Sequence, residues 1–396
     1  MRINIANWYN NFQSPSVLMI DDLSDAYINV YDKSYKNDWG HLCDKDDSVF
    51  KFLSEKLLST FPQIKITFFV PYLKHNVINN NTPQEFKKYD IGEREEFITF
   101  LLSLQNQGHE VSHHGSNHGK YIDELNLSTY NNFLHEWELF SNIEEGVTIT
   151  KNGQKIFQKY LKKSISGGKF CGYKQIENSL EIIDKCNFHY WCDSVNYISK
   201  DYNFSFFGTN KVISFPTNFA GNAFVRLSYK TGDKKKDKKK GILKFLQPLY
   251  NILQYKNLNQ LYLNGHIISI QEHISPATSS GLTQSANIVS DIESLQKIYK
   301  FLAKKSIWYA TCDEIAKYIY TKENSMLSFT KEHIIIEFNN YKELEETMIT
   351  VVSGSFFELE DENNNKISST LNNKQFIVNL FIINGINKFK VVNQNA

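Results

Sequence analysis

"GHEVSHHGSNHG" (residues 108–119) places His109, His113, His114 and His118, four of the chain's eleven histidines, within twelve positions. Just upstream, "REEFITFLLSLQNQ" (94–107) repeats apolar residues at helical spacing, and Gly108 follows, a residue favoured just past a helix end. The histidines therefore come after a helix, at the end of a short strand. His114 and His118 are four apart, so a helical turn after the strand would face both imidazoles one way. Two such nitrogens and one carboxylate make three protein ligands and leave a position open for water, as in a catalytic zinc site. The same set would equally hold iron. His109 and His113 fall earlier, in the strand, and fit a strand-terminal site less well. His113 is assigned at most a hydrogen bond to one of the ligands.

Working outward, other strands end in chemistry-bearing residues. "SPSVLMIDD" (14–22) is an apolar strand closed by Asp21 and Asp22, and "IKITFFVP" (64–71) is a β-rich run stopped by Pro71. His266 follows "LYLN" and Gly265 and is read as closing a third strand. In parallel α/β folds, active sites form at the carboxyl ends of strands. Strands and helices alternate over residues 15–322, which predicts a parallel sheet, open or closed into a barrel. After Tyr320 the texture changes to short strands parted by Asn, Gly and acidic turns. The expected division is a catalytic domain over 1–325 and a small all-β, sandwich-like domain over 326–396. The latter is read as a dimer or stability element, because its strands show no aromatic platform.

Composition excludes several classes. A formal net charge of +1 gives no global pull toward nucleic acid. The five cysteines (43, 171, 186, 192 and 312) form no C-x-x-C pair, which argues against a disulfide framework or a Cys-rich zinc site. No apolar run approaches the roughly 20 residues of a spanning helix. The opening residues lack the apolar stretch of an export signal, so a cytoplasmic protein is expected. The run "KTGDKKKDKKKG" (230–241) reads first as a solvated loop. Its alternative reading is peripheral contact with an anionic membrane surface through 234–255.

Taken in order, these motifs resemble the polysaccharide deacetylases of the NodB-homology class. The family's Asp-Asp strand end is matched by "MIDDL" (19–23), with Leu23 where the family usually has Gly. Its "TFF" strand is matched in "KITFFVP" (65–71), its histidine segment by "GHEVSHHGSNH", and its late strand by "WYATCDEI" (308–315). The resemblance spans residues 15–322 and implies a distorted (β/α) barrel.

It further implies that Asp22, His114 and His118 hold one divalent metal, zinc first, with cobalt, nickel, manganese or iron as alternatives. Asp21 would be the general base. A later histidine would be the general acid: His266 in "LNGHI", with His273 as the fallback. The family's Arg-x-Pro-type motif corresponds to "GGKFCGYK" (167–174), which has no Arg. Lys169 or Lys174 would supply that charge, as a point charge in place of a bidentate fork. Simple solvation is the other reading of both lysines. The amide of Cys171 or Gly172 would face the oxyanion, and Tyr173 belongs to the same substrate-binding stretch. Trp191 and Asp193 in "YWCDS" match the family weakly and are read either as packing and a cap or as substrate contacts.

The implied activity is hydrolytic removal of an N-acyl group, acetyl first, from an amino sugar in cell-surface glycan synthesis. A nucleotide- or lipid-linked sugar is the expected substrate, with no nucleic-acid partner. The alternatives are hydrolysis of another small amide, such as a formamide or cyclic imide, and a catalytically weak glycan-binding module that keeps the metal cluster.

Overall fold

The structure is a computed structural model. It describes residues 2–25, 27–29, 38–41, 45–73, 90–121, 133–197, 203–225, 244–275, 283–330, 332–372 and 374–394. After β1 (Ile3–Ile5), which lies apart from them, the strands that organise the larger part are β2 (Ser14–Asp21), β3 (Ile66–Val70), β4 (Glu110–His113), β5 (Gly167–Lys169), β6 (Tyr190–Cys192), β7 (Val212–Ser214), β8 (Ile268–Ser275) and β9 (Ile307–Tyr309). In one sheet they run β7-β6-β5-β4-β3-β2-β8, every neighbouring pair parallel, and β9 pairs in parallel with the start of β2.

Parallel strands need crossovers, and helices supply them. These are α1 (Val49–Leu53), α2 (Glu95–Asn106), α3 (Ile143–Leu161), α4 (Ser179–Lys185), α5 (Gln247–Leu263) and α6 (Asn287–Leu302), with α7 (Cys312–Glu323) after β9. Every residue of β2 and β3 is buried, which is why both read as near-continuous apolar runs. The fold is thus α/β, with a curled parallel sheet. Just past β7, Phe219 and Ala220 pair in parallel with Ile270 and Gln271 of β8, so the chain leaving one end of the sheet meets the strand at its other end.

The late motif has a simple local cause. In "WYATCDEI", β9 gives way to a capping box: the Thr311 side chain accepts from the Glu314 amide, and Glu314 Oε2 accepts from the Thr311 amide at 2.7 Å. Two orphan donors at the start of α7 are satisfied reciprocally.

The C-terminal strands are β10 (Ser325–Phe329), β11 (His333–Phe338), β12 (Met348–Ser353), β13 (Phe357–Glu360), β14 (Lys366–Ser368), β15 (Thr370–Asn372), β16 (Gln375–Phe381) and β17 (Gly385–Gln394). They form two sheets, β1-β12-β16-β15 and β10-β11-β17-β13-β14, around a core of Ile336, Phe338, Ile349, Val351, Phe357, Leu380 and Phe389.

This corrects the expected boundary. The chain's first strand is not part of the parallel sheet: β1 pairs antiparallel with β12, Ile3 opposite Ser353, and buries Ile3 in the C-terminal core. Three residues gave too short a pattern for the sequence to say where they would pair.

Among the described residues no helix is long and apolar enough to cross a membrane. The lysine run of 230–241 lies outside the described residues.

Candidate metal centre

Asp21 ends β2, and Asp22 follows with φ 66°, a left-handed turn that swings its carboxylate back over the sheet end. His113 ends β4 two strands away. The His114 amide still donates to the Val70 carbonyl at 3.0 Å, so His114 prolongs the ladder by one residue. The chain then breaks at Gly115 (φ 74°), where any Cβ would meet Glu136 Oε2 at 2.5 Å.

The segment that follows is not the helical turn that the spacing suggested. It is an irregular loop, with His118 itself at φ 72°. Backbone bonds hold it on one side: the amides of Tyr72 and Leu73 donate to the Gly115 and Ser116 carbonyls at 3.1 and 2.8 Å. The buried Glu136 carboxylate holds the other side, Oε2 accepting from the amides of Ser116 (2.6 Å) and Asn117 (3.2 Å). Burial pushes the Glu136 carboxyl above its usual range, against the pull of those amides.

The two imidazoles nevertheless converge, with ring centroids 5.2 Å apart. His114 Nε2 and His118 Nε2 lie 3.2 and 3.1 Å from the same Asp22 Oδ1. All three side chains are buried.

The donor set fits a cation. His114 Nδ1 lies 3.1 Å from the Lys169 carbonyl, which can only accept, so Nδ1 carries the ring proton. In the neutral ring the Nε2 lone pair then faces a carboxylate oxygen, and something positive must stand between them. A proton can serve: burial opposes the imidazolium, but the hydrogen bond and charge of Asp22 outweigh it and raise the His114 pKa. A divalent metal serves equally. Nitrogen and oxygen ligands about 2.0–2.2 Å from one zinc ion are separated by about 3–3.5 Å, close to the spacing found here. The backbone carbonyl on Nδ1 fixes the ring as such sites usually require. The Cys171 sulfur also belongs to the cluster, its ligand atom within 4.8 Å of those of His114 and His118. In the structure it donates to the His114 carbonyl at 3.2 Å.

Beside this cluster, Asp21 is held from two sides. Lys169 Nζ lies 2.6 Å from Oδ1, and Gln271 Nε2 donates to Oδ2 at 2.9 Å. The Lys169 side chain has no solvent exposure, so for this lysine the solvation reading is wrong. Its ammonium also sits 4.4 Å from the Phe69 ring centroid. Gln271 is fixed in turn: the hydroxyls of Tyr173 and Tyr197 lie 2.5 and 3.2 Å from its Oε1. Tyr173 thus reaches the catalytic end through Gln271, and it also lies 3.0 Å from Thr217 Oγ1. Lys174, by contrast, is exposed.

Other expected residues fall elsewhere. His266 precedes β8 and lines a cavity of ≈ 600 Å³ with Trp8, Gln13 and Tyr262, at the amino end of the strands. The register sets Ser16 opposite Ile268 and Asp21 opposite His273. At about 3.3 Å per residue, His266 is roughly 20 Å short of the strand ends that carry Asp21. Position after an apolar run misled here, because "LYLN" is the last turn of α5 and not a strand. His273 is the histidine level with Asp21.

Trp191 is fully buried among Trp137, Phe170 and Phe188, which makes it packing and removes it as a substrate contact. Asp193 is half-buried and accepts from Ser214 Oγ at 2.8 Å. Cys171 and Gly172 open a tight turn in which Gly172 has φ 57°; a Cβ there would run into the His135 ring at 2.3 Å. His113 turns away from the ligands into an aromatic cage of Tyr72, Trp137, Phe157, Phe188 and Trp191, and its Nδ1 accepts from the Gly115 amide at 3.0 Å. Burial lowers its pKa to about 3. His109 accepts from the Ile66 amide at 3.3 Å, at the far end of β4.

Sequence reasoning missed Glu136, which cradles the histidine loop, and His135, whose ring centroid is 5.2 Å from that of His118. Burial, with the neighbouring His118, lowers the His135 pKa to about 4. Nothing in "LHEWEL" marked either residue.

No protein-family model and no curated protein matches this chain. Solved structures do. One is a protein from Mycobacterium smegmatis assigned as a polysaccharide deacetylase, with 13% identity, 83% of this chain and 97% of that one covered, and a TM-score of 0.44. A second, from Pseudomonas aeruginosa PAO1 and assigned likewise, has 12% identity, 79% and 93% coverage and a TM-score of 0.44. A third is the allantoinase Puue, with 14% identity, 79% and 92% coverage and a TM-score of 0.41. The solved structures that this chain is similar to thus include polysaccharide deacetylases and an allantoinase, all at low sequence identity.

Proposed function

We propose that this chain is a metal-dependent hydrolase that removes an N-acyl group, acetyl first, from an amino sugar carried on a nucleotide or a lipid. One observation carries the reading: three buried ligand atoms, Asp22 Oδ1, His114 Nε2 and His118 Nε2, converge beside a second carboxylate that is separately paired with a buried lysine. Asp22, His114 and His118 would hold the metal. When bound, a divalent cation polarises the acyl carbonyl and acidifies water, zinc being the first expectation.

The chain's own residues do the rest. Asp21 accepts the proton that water loses as its oxygen bonds to the acyl carbon. Its two oxygens are already engaged by Lys169 and Gln271, yet each retains a further lone pair for that proton. Lys169 and Gln271 hold the carboxylate in one orientation. The amide of Cys171 or Gly172 would face the oxyanion. His273, level with Asp21, gives a proton to the departing amine nitrogen as the C–N bond breaks.

The test is amine release from N-acetyl, N-formyl and cyclic amide substrates, read with metal content on the same preparations. Asp22→Ala is expected to lose metal and turnover together, whereas Asp21→Asn keeps the metal and loses turnover. Full activity in metal-stripped Asp22→Ala protein would defeat the scheme. Glycan binding without turnover on any substrate would make the chain a binding module.

A further inference from the structure

Helix α5 has two faces. Its inner face buries Leu258 and Leu261 and packs Tyr255 and Tyr262 against the core of the larger domain. Its outer face is also apolar. Phe245 and Leu246, in the turn that leads into the helix, are 71% and 39% exposed; Leu249, Ile252 and Leu253 are 59%, 63% and 50% exposed. At about 100° per residue, Leu249, Ile252 and Leu253 occupy one sector roughly 100° wide, and Leu258 and Leu261 lie opposite. The exposed Lys256 falls within the outer sector, one turn beyond Ile252. A water-facing helix normally puts charge on such a face. Five large apolar side chains clustered here constitute a docking surface.

Charge identifies the occupant. The sequence directly before this turn, Lys234 to Lys244, carries seven lysines and one acid, Asp237, in a chain whose overall charge is only +1. Lysines next to an exposed apolar helix face suit an anionic lipid surface: ammonium groups sit among the headgroups and the apolar side chains enter the acyl boundary. A protein partner would instead need an acidic rim around an apolar pocket.

The topology adds a direction. α5 ends five residues before β8 begins and packs against it, so the helix runs antiparallel to the strands. Its apolar half therefore lies toward the strand ends that carry Asp21 and His273.

We infer that residues 245–256 dock this protein on an anionic bilayer, with the catalytic end of the sheet turned toward the lipid. The contact is peripheral, and it stands whether or not the chain is a deacetylase.

Co-sedimentation of the full chain with vesicles tests it. The wild type is expected to bind equimolar phosphatidylcholine–phosphatidylglycerol vesicles, to bind pure phosphatidylcholine about tenfold more weakly or less, and to release as salt screens the lysines. Leu249→Glu with Ile252→Glu should abolish binding without changing metal content or the unfolding midpoint. Replacing the six lysines of 234–240 by glutamine, which leaves the helix untouched, should remove the phosphatidylglycerol preference. Absence of vesicle binding by the wild type, or binding unaffected by both sets of changes, overturns the inference. So does a wild-type dimer in sedimentation velocity that Leu249→Glu dissociates, because a second copy would then cover this face.

Discussion

Lys169 Nζ stands 2.6 Å from Asp21 Oδ1, and the lysine side chain is wholly removed from solvent. A buried pair of this kind contributes little compared with an apolar pair of the same shape, but losing one partner strands the other charge. Lys169→Met is therefore expected to cost roughly 3–5 kcal/mol in denaturant unfolding. Turnover should fall about 10²-fold or more while metal content stays at the wild-type level, since the Lys169 backbone carbonyl that holds His114 Nδ1 is left in place. Lys169→Arg should restore only part, because the Phe69 and Tyr173 rings, 4.4 and 5.4 Å from the ammonium, crowd a larger planar head. Unaltered turnover in Lys169→Met would remove the lysine from the reaction.

Glu136 would influence metal binding through backbone alone. Its carboxylate takes the Ser116 and Asn117 amides and so sets the path of the chain into His118. Glu136→Ala leaves those buried amides without their acceptor. The expected loss is about 10–100-fold in metal affinity, measured by competition with a chelator of known strength. Equal affinity would mean that the loop needs no cradle.

The His113 ring gives stability a pH dependence. Its pKa is about 3 in the folded protein against 6.5 unfolded, so between those values the unfolded chain binds more protons. Stability from this group is fully present above about pH 6.5 and is lost as pH falls toward 3, with a slope of about 1.4 kcal/mol per pH unit for one proton. Glu110, raised to about 7 by burial and by Asp313, works in the opposite sense over its own window. His113→Asn keeps an acceptor for the Gly115 amide and removes the titration. Urea unfolding of metal-free protein between pH 6.5 and 5 should show the variant less acid-sensitive by close to one proton. Parallel pH curves would place the proton uptake elsewhere.

The two candidate acids separate cleanly. His266→Ala should leave turnover unchanged, because its cavity lies at the amino end of the strands. His273→Ala should lower turnover by about 10²–10⁴-fold with metal retained. The reverse pattern in steady-state amine release would restore His266.

Much of this was legible in the residues, and the exceptions have physical causes. The strand ends were readable because β2 and β3 are buried on both faces and so appear as unbroken apolar runs. Asp22, His114 and His118 were readable because they sit at or just past those ends. The path between the two histidines was not, since a spacing of four does not distinguish a helical turn from a loop bent by Gly115. Lys169 was ambiguous because burial of a lysine depends on a carboxylate 148 positions away in sequence. His266 was misplaced because the closing turn of a helix and the end of a strand can share the same four apolar and polar letters. Glu136 was invisible because it binds amides, which carry no side-chain signature.

The pairing of β1 with β12 sets Ile3 opposite Ser353, far apart in sequence. Between the two lies the whole parallel sheet, so this contact closes a very long loop. Contacts of such separation form late, so the carboxy-terminal sandwich is expected to close after the parallel sheet between its two contributors has collapsed. Cutting out Ile3–Ile5 should therefore expose β12, the next strand of a layer built more than three hundred positions later.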